Sequence, residues 1–347
     1  MVRLIDIAER AGVSLGTVSA VLSGRGNSIR FSKEKAEKIR AIAREMNYIP
    51  NFSARMLSGQ SSHTLGVLID SGDVAVRYEQ LAAIDQAAER HGYRLLIAEA
   101  HANTEKLLLN YRTLLQYKVD GVICHANSVH ESLRSEKNVV FFGAEPFDGI
   151  PSVYYDIEAG YREALAQFKA EGRKFPALAL FTETRHDSVR ARHRAFRHLE
   201  KKFPGGLHIL EKQESASDAG IRTAMERLVE EQILSRHVDA MILQNDLLAL
   251  ALLFELQRRG IRVPEQIALV GQDNSAFCSC ARPALSTIDS NLDGLGNAVM
   301  ELMLERLEHP ERPIRRPHLA CETGNDSCIQ KQGELICGSG RSSILLL

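Results

Sequence analysis

Polar side chains stand directly after four apolar stretches of the chain. Asp70 follows LGVLI, His125 follows GVIC, Asn245 and Asp246 follow AMILQ, and Asp273 follows ALVGQ. In open sheets of parallel strands, ligands bind outside the carboxyl ends of the strands. Carboxylate, amide and imidazole groups gathered there suit a ligand with many hydroxyl groups, such as a sugar. The spacing therefore predicts a polar binding cleft; the alternative is that Asp246 caps a helix and Asn245 holds the turn.

A second group of residues, within positions 4–22, has the small and hydroxyl-bearing side chains that can approach DNA closely. Apolar residues recur at helical spacing on both sides of Gly12, which suits a tight turn, and Ser14 stands where it can cap the second helix. Helix, short turn and helix is the signature of a helix-turn-helix, whose second helix enters the major groove. Its exposed face is predicted to carry Leu15, Gly16, Thr17, Ser19 and Ala20.

A third helix is predicted to begin after Ser32 and to complete a three-helix headpiece over residues 1–46. Arg30 stands where it could meet the phosphate backbone, and Ser32 is assigned with it to the DNA-binding surface. Residues 1–60 carry 10 Lys and Arg against 5 Asp and Glu, whereas the rest carries 33 against 39. A basic head on an acidic body is typical of a nucleic-acid-binding module joined to another domain; the alternative is a solvated basic face.

Residues 47–60 form a short linker after the headpiece. Pro50 ends the third helix, Asn51 can cap a new helix over FSARMLSG, and Gly59 closes it. Helices of about two turns are marginal in water, so this hinge is expected to fold only against a second subunit and DNA. Ala54 is small enough to let two such helices approach each other.

From Thr64 onward, apolar strands alternate with amphipathic helices, and the pattern runs twice along the chain. The first half contains TLGVLID, YRLLIAEA, VDGVICHA and NVVFFG, and the second contains PALALFT, LHILEK, VDAMILQ and QIALVGQD. Near-continuous apolar strands with crossover helices predict parallel sheets. The fold class is therefore α/β, with two Rossmann-like lobes that follow the helical headpiece and enclose a cleft.

Two motifs give the chain a family resemblance. Ala8-x3-Gly12-Val13-Ser14-x2-Thr17-Val18-Ser19 resembles the DNA-binding signature of the lac repressor (LacI/GalR) family of bacterial transcription regulators, and NYIPN at 47–51 matches its lead into a hinge helix. The resemblance implies an effector-binding core over residues 61–328 that is similar to periplasmic sugar-binding proteins. It places lobe 1 at about 61–157 and 288–316, and lobe 2 at about 158–287 and 317–328.

The same resemblance assigns roles to individual residues. Positions that contact effector in the family correspond here to Asp70, His125, Arg192, Asn245 and Asp273. Arg192 is included because RHRAF resembles the family's Arg-x2-Gly-aromatic pattern. Leu57 falls on a leucine that inserts into the minor groove, where an apolar side chain kinks the duplex. The alternative is that Leu57 packs the hinge against the core.

Three departures from the family pattern affect what is recognised. Residues 74–77, VAVR, stand where many members have Asn-Pro-Phe-Phe, and Gln272 replaces an aromatic residue before Asp273. Loss of these stacking platforms leaves the ligand class open. Ala20 replaces an arginine, which removes one expected bidentate contact with guanine and predicts a different operator half-site.

The sequence gives little support for the common enzyme classes. GVSLG matches G-x-S-x-G, but that elbow needs a strand before the serine, where a helix is predicted. Phosphate-loop, dinucleotide and zinc-protease motifs are missing. Six scattered cysteines predict reduced thiols, and Cys278-x-Cys280 lacks zinc-site spacing, so neither cofactor nor metal is expected. The longest apolar run, eight residues, is too short for a membrane span, and no secretory signal is expected.

The sequence thus predicts a cytoplasmic, homodimeric repressor that binds near-palindromic double-stranded DNA, responds to a sugar-like effector and has no enzymatic activity. Residues 329–347 are predicted to be a disordered tail. Two alternatives stay open: a sugar-binding protein without a regulatory role, and an α/β enzyme with an appended DNA-binding domain.

Overall fold

The computed structural model describes residues 2–23, 31–48, 61–69, 74–101, 103–125, 131–134, 136–143, 150–181, 187–200, 208–212, 218–312 and 318–319. Predictions made for the tail 329–347 and for five site residues lie outside this part of the chain: Arg30, Asn51, Ala54, Leu57 and Asp70. The chain divides into two compact units, Met1–Ser62 and His63–Leu347.

Three helices are described in the first unit: α1 (Leu4–Ala11), α2 (Leu15–Ser23) and α3 (Lys33–Glu45). Gly12 ends α1 with a φ of 66°, a left-handed conformation that glycine adopts without steric cost. The Ser14 hydroxyl accepts a hydrogen bond from the Thr17 amide at 3.2 Å, and the Ser32 hydroxyl accepts one from the Lys35 amide at 3.2 Å. The predicted turn and both predicted helix caps are confirmed.

The three helices enclose one small apolar core. Ile7 of α1, Val18 of α2 and Ile39 of α3 are fully buried and belong to a single cluster. Helices of 8 to 13 residues are marginal on their own in water. Burial of an apolar stripe from each helix is therefore what holds the headpiece together.

Two parallel sheets organise the second unit. The first sheet has the spatial order β11 (His318–Leu319), β5 (Ser152–Tyr155), β4 (Val139–Gly143), β3 (Gly121–His125), β1 (Thr64–Ile69) and β2 (Arg94–Glu99). The second has the order β10 (Ser286–Ile288), β9 (Ala268–Gln272), β8 (Ala240–Leu243), β6 (Pro176–Phe181) and β7 (His208–Lys212). All strand pairs in the described residues are parallel. The predicted α/β class is confirmed.

Helices flank both sheets. Those of the first lobe are α4 (Val74–Arg90), α5 (Thr104–Gln116), α6 (Glu131–Arg134) and α12 (Leu292–Glu308). Those of the second are α7 (Ile157–Ala170), α8 (Asp187–Glu200), α9 (Asp218–Leu228), which continues as a π-helical segment over Val229–Leu234, α10 (Asp246–Arg258) and α11 (Phe277–Cys280). Strand side chains alternate between two apolar layers, which explains the near-continuous apolar strands of the sequence.

The first lobe is assembled from separated stretches of the chain. After β5 the chain enters the second lobe through α7, and after β10 it returns through α12, which packs against α4. The two helices approach so closely that a Cβ on Gly296 would overlap the backbone of Ala83. Glycine is therefore required at this point of α12.

The end of the described chain also belongs to the first lobe. His318 and Leu319 form β11, which pairs with Tyr154 and Tyr155 of β5 at the edge of the first sheet. The prediction that residues 317–328 lie in lobe 2 is therefore wrong for these two residues. A two-residue edge strand carries no apolar pattern from which its sheet could be predicted. None of the helices in the described part of the chain is long and apolar enough to cross a membrane.

Candidate functional site

Among the described residues that were predicted to face DNA, all but Ser32 lie in α2 or directly before it. Ser14, Leu15, Gly16 and Ser19 are exposed, and Thr17 is partly buried. The Ser14 and Thr17 hydroxyls are 2.9 Å apart, so that one donates a hydrogen bond to the other. The start of α2 therefore presents short polar side chains on an accessible surface, as a recognition helix requires. Contact of these residues, and of the capping residue Ser32, with DNA stays a prediction.

Ala20 is not on the exposed face of α2. Only 6% of this residue is exposed, so the expectation that it is accessible is wrong. A methyl side chain projects little beyond the helix backbone and is covered by the groups around it. A contact between this position and a base would need a longer side chain.

In the second lobe, the charges of Arg192 and Asp273 both act on a buried tyrosine. Tyr161 of α7 is fully buried and packs edge-to-face on Phe196 with ring centroids 6.1 Å apart. Phe196 lies on α8, which also carries Arg192. Burial raises the pKa of Tyr161 to about 12; the charge of Arg192 acts to lower this pKa, and the charge of Asp273 acts to raise it. Both predicted effector ligands thus act on one hydroxyl group.

Asp273 has an unusual backbone conformation directly after β9. Its φ is 104° and that of Asn274 is 54°, a range that residues other than glycine rarely adopt. The Ser290 hydroxyl donates a hydrogen bond to the Asp273 carboxylate at 2.8 Å, and the Asp273 amide donates one to the Ile288 carbonyl at 2.8 Å. Strain of this kind persists only where the surrounding structure fixes it, and it is concentrated at ligand sites.

Asp246, the first residue of α10, joins three segments of the second lobe. Its carboxylate accepts hydrogen bonds from the Thr287 hydroxyl at 2.5 Å and from the Ser275 amide at 2.6 Å. A Cβ at Gly271 would overlap this carboxylate, so β9 must carry a glycine there. Burial raises the pKa of Asp246 to about 7, against the lowering effect of these two hydrogen bonds. Asp246 therefore anchors the loop that begins at Asp273.

Two other predicted effector ligands, Asn245 and His125, make contacts within the protein. Asn245 caps α10, because its side-chain oxygen accepts a hydrogen bond from the Leu248 amide at 2.9 Å. Helix capping by Asp246 was predicted as an alternative to ligand binding; the residue that caps α10 is Asn245. His125, at the end of β3, is buried and packs edge-to-face on Phe142 with ring centroids 5.0 Å apart. It belongs to the other sheet from Asp273, and its part in effector binding stays a prediction.

Three residues of this region were not singled out from the sequence. Thr287 and Ser290 lie in and just after β10, a three-residue strand without a distinct pattern. Tyr161 lies on α7, where apolar residues recur at helical spacing, a signal that indicates burial but not a polar partner. A hydrogen bond between residues far apart in the chain, such as that of Thr287 with Asp246, is not predicted by any local sequence pattern.

The described side chains of this region can form hydrogen bonds to a polar ligand. Among the described residues, there is no group of three or more His, Cys, Asp or Glu side chains that could hold a metal ion. The cationic Arg192 and the anionic Asp273 act in opposite directions on the pKa of the buried Tyr161 hydroxyl. Such groups fix the orientation of a polar ligand through hydrogen bonds.

Comparisons with known proteins agree with this division into headpiece and core. Residues 3–51 match the family described as bacterial regulatory proteins, lacI family, and residues 165–323 match the periplasmic binding protein-like domain. The HTH-type transcriptional regulator GntR of Pseudomonas aeruginosa is 30% identical over 321 residues, which cover 87% of this chain and 88% of that protein. This chain belongs to the lacI family of bacterial regulatory proteins.

Other relatives of this lacI-family chain match over almost its whole length. The ribose operon repressor of Escherichia coli (strain K12) is 26% identical over 328 residues, which cover 92% of this chain and 97% of the repressor. A crystal structure of the lac repressor dimer bound to operator and the anti-inducer ONPF has a TM-score of 0.78 at 26% identity, covering 92% of this chain and 96% of that one. The predicted combination of helix-turn-helix headpiece and periplasmic-binding-protein-like core is confirmed.

Proposed function

We propose that this lacI-family chain is a sequence-specific repressor whose affinity for operator DNA is set by a small polar effector, a sugar or related metabolite. The observation that carries the effector half is the buried carboxylate of Asp273, which lies directly after β9 in a strained backbone conformation and accepts a hydrogen bond from Ser290. Arg192 supplies a charge of the opposite sign, and both charges act on the pKa of the buried Tyr161. Charged groups make hydrogen bonds about twice as strong as neutral groups do, so two of opposite sign hold a hydroxylated ligand in one orientation. The ribose operon repressor, a relative, supports a sugar-like ligand.

The headpiece supports the DNA half of the proposal. Ser14 and Ser19 are exposed at the start of α2, the part of a recognition helix that contacts base edges. The excess of basic residues in positions 1–60 supplies the attraction to phosphate that dominates affinity. The chain would therefore act in the cytoplasm, where chromosomal DNA lies, and its operator affinity should fall steeply with added salt.

The partner that we infer for the core is a second copy of this chain. Leu247 and Phe254, two turns apart on α10, are 51% and 68% exposed, and Phe277 on α11 is 69% exposed. The segment that carries Phe277 is hydrogen-bonded to the beginning of α10 through Ser275 and to its end through Gln257, so it is held alongside this helix. The lac repressor, with 26% identity, crystallised with operator as a dimer. A dimer places two headpieces on a near-palindromic site.

Binding-site selection with the full-length chain tests the DNA half. We expect a near-palindromic sequence, and fluorescence anisotropy on that duplex should detect release or tightening when the effector is added. Recovery of asymmetric half-sites alone would contradict the dimer, and no enrichment at all would contradict sequence-specific binding. Sugars incubated with the protein should remain chemically unchanged, because the residues of the site are proposed to bind the effector and not to react with it. Conversion of a sugar to a product would favour an enzyme.

A further inference from the structure

The second lobe buries a polar atom that lacks a hydrogen-bond partner among the residues that the structure describes. This atom is Oε1 of Gln272, a residue that is only 4% exposed. An unpaired buried acceptor destabilises the folded state, so natural proteins contain few of them. Retention of such an atom beside Asp273 is explained if a ligand supplies the missing donor.

Gln272 is the last residue of β9 and immediately precedes Asp273. Side chains alternate along this strand: Val270 lies in the apolar layer that packs against α7 and α8, whereas Leu269 lies in the layer against α10. Alternation therefore puts Gln272 on the side of α7, which is the side of Tyr161.

Ile288 connects Gln272 to Tyr161. It is the register partner of Gln272 in the pair of β10 with β9. Ile288 also packs against α7 so closely that a Cβ on Gly160 would lie 2.6 Å from its Cγ2. Gly160 immediately precedes Tyr161, whose hydroxyl is under the influence of both charged effector candidates. Gln272 therefore lies on the same side of the second sheet as Tyr161, whose chain neighbour Gly160 contacts the register partner of Gln272.

We propose that Gln272 is a specificity-determining residue of the effector site, and that its Oε1 accepts a hydrogen bond from a hydroxyl group of the effector. This inference rests on the proposed function and states how that site chooses its ligand. An aromatic ring selects a sugar by stacking, whereas an amide selects it by a hydrogen bond to one hydroxyl group. A ligand without that hydroxyl leaves Oε1 unpaired, and sites of this kind reject such analogues strongly.

Isothermal titration calorimetry on the full-length chain tests the proposal, with ribose, xylose, glucose, galactose and gluconate as probes. The tightest of these is then compared with its monodeoxy analogues. Gln272→Met removes the acceptor and keeps the length of the side chain. Gln167→Met is the matched control, because Gln167 lies on α7 and its amide bonds to Glu171 near the surface.

The wild-type chain should bind one of these sugars and lose about tenfold in affinity when one particular hydroxyl is removed. Gln272→Met should bind the parent sugar about tenfold more weakly and should no longer distinguish it from that analogue. Gln167→Met should behave as the wild type does. Equal discrimination by the wild type and Gln272→Met overturns the proposal, and so does a wild-type chain that binds none of the sugars.

Thermal unfolding without sugar gives a second readout. If Oε1 is unpaired in the free protein, Gln272→Met should melt at the same temperature as the wild type or higher. A lower melting temperature would mean that the protein itself pairs this atom, and the proposal would be wrong. Operator binding by the wild type is measured separately, so its failure counts against the proposed function and not against Gln272.

Discussion

The Thr287 hydroxyl donates a 2.5 Å hydrogen bond to the Asp246 carboxylate and thereby joins β10 to the start of α10. Both residues are buried. Thr287→Val keeps the shape of the side chain but removes the donor, so the free energy of unfolding should fall by about 1–3 kcal/mol. Urea unfolding measures this. Thr113→Val on α5 is the control, since the Thr113 hydroxyl only bonds the Leu109 carbonyl within its helix; equal losses in both variants would contradict a special role for Thr287.

Asp246 makes stability depend on pH in a predictable direction. Burial raises its pKa to about 7, so the folded chain retains a proton that the unfolded carboxyl has lost. This group therefore favours folding most below the unfolded pKa, near 4, and its contribution falls as pH rises towards 7. Asp246→Asn should remove that part of the pH dependence. The test is to measure the melting temperatures of the wild type and of Asp246→Asn at intervals of about one pH unit between about pH 5 and 8. If the melting temperatures of the two proteins change with pH in the same way, Asp246 does not titrate in this range.

Arg192 and Asp273 should both be needed for the effector. Arg192→Ala and Asp273→Ala are each expected to weaken effector binding by about 1.5–3 kcal/mol, the range for hydrogen bonds to charged groups. Operator affinity without effector should be retained, because the DNA-binding residues lie in the headpiece. Calorimetry measures the first effect and anisotropy the second. Arg194→Ala, at an exposed position of α8, should leave both affinities unchanged; unchanged effector affinity in the Arg192 and Asp273 variants would mean that the site is elsewhere.

Leu57 is predicted to act as a minor-groove wedge. Leu57→Ala should lose much of the affinity for operator and most of the DNA bend, because an apolar wedge unstacks a base step and kinks the duplex. Binding to a scrambled duplex rests on phosphate contacts and should change little. Anisotropy on the two duplexes separates these effects. A similar loss on both, or on neither, would rule out the wedge.

The apolar surface of α10 is predicted to hold two copies together. Phe254→Asp places a charge where a partner would bury the ring, which should shift the chain from dimer to monomer in sedimentation velocity experiments. Leu234→Asp is a suitable control, because Leu234 is similarly exposed, at 54%, but lies outside α10 and α11. A dimer that tolerates Phe254→Asp would place the interface elsewhere.

The sequence predicted those features of the fold that repeat locally. Apolar runs such as LGVLI and ALVGQ became buried parallel strands because burial on both faces leaves no polar positions within them. Gly12 and Ser14 were predictable because a left-handed turn and a helix cap each depend on few residues. The exposure of Ala20 was predicted wrongly, since the periodicity of a nine-residue helix does not determine what covers a methyl group.

The candidate site was only partly predictable, because its contacts join residues that are far apart in sequence. The position of Asp273 follows from the end of a strand, but its φ of 104° and its bond from Ser290 follow from tertiary packing. Asn245 and Asp246 are adjacent, and the sequence did not indicate which of them caps α10. Tyr161 was missed because an amphipathic helix predicts burial for any large side chain on its inner face.

The position of α12 in the chain determines the order in which the two lobes can fold during translation. Val299 and Met303 of this helix complete the apolar layer that also contains Leu65 and Val140. That layer is left uncovered while the whole second lobe, a continuous stretch between β5 and α12, is being made. At 5–20 residues per second, this interval lasts roughly 7–27 s. The second lobe can therefore complete its fold before the first lobe does. Until α12 is made, the first lobe exposes an apolar layer to which a chaperone could bind.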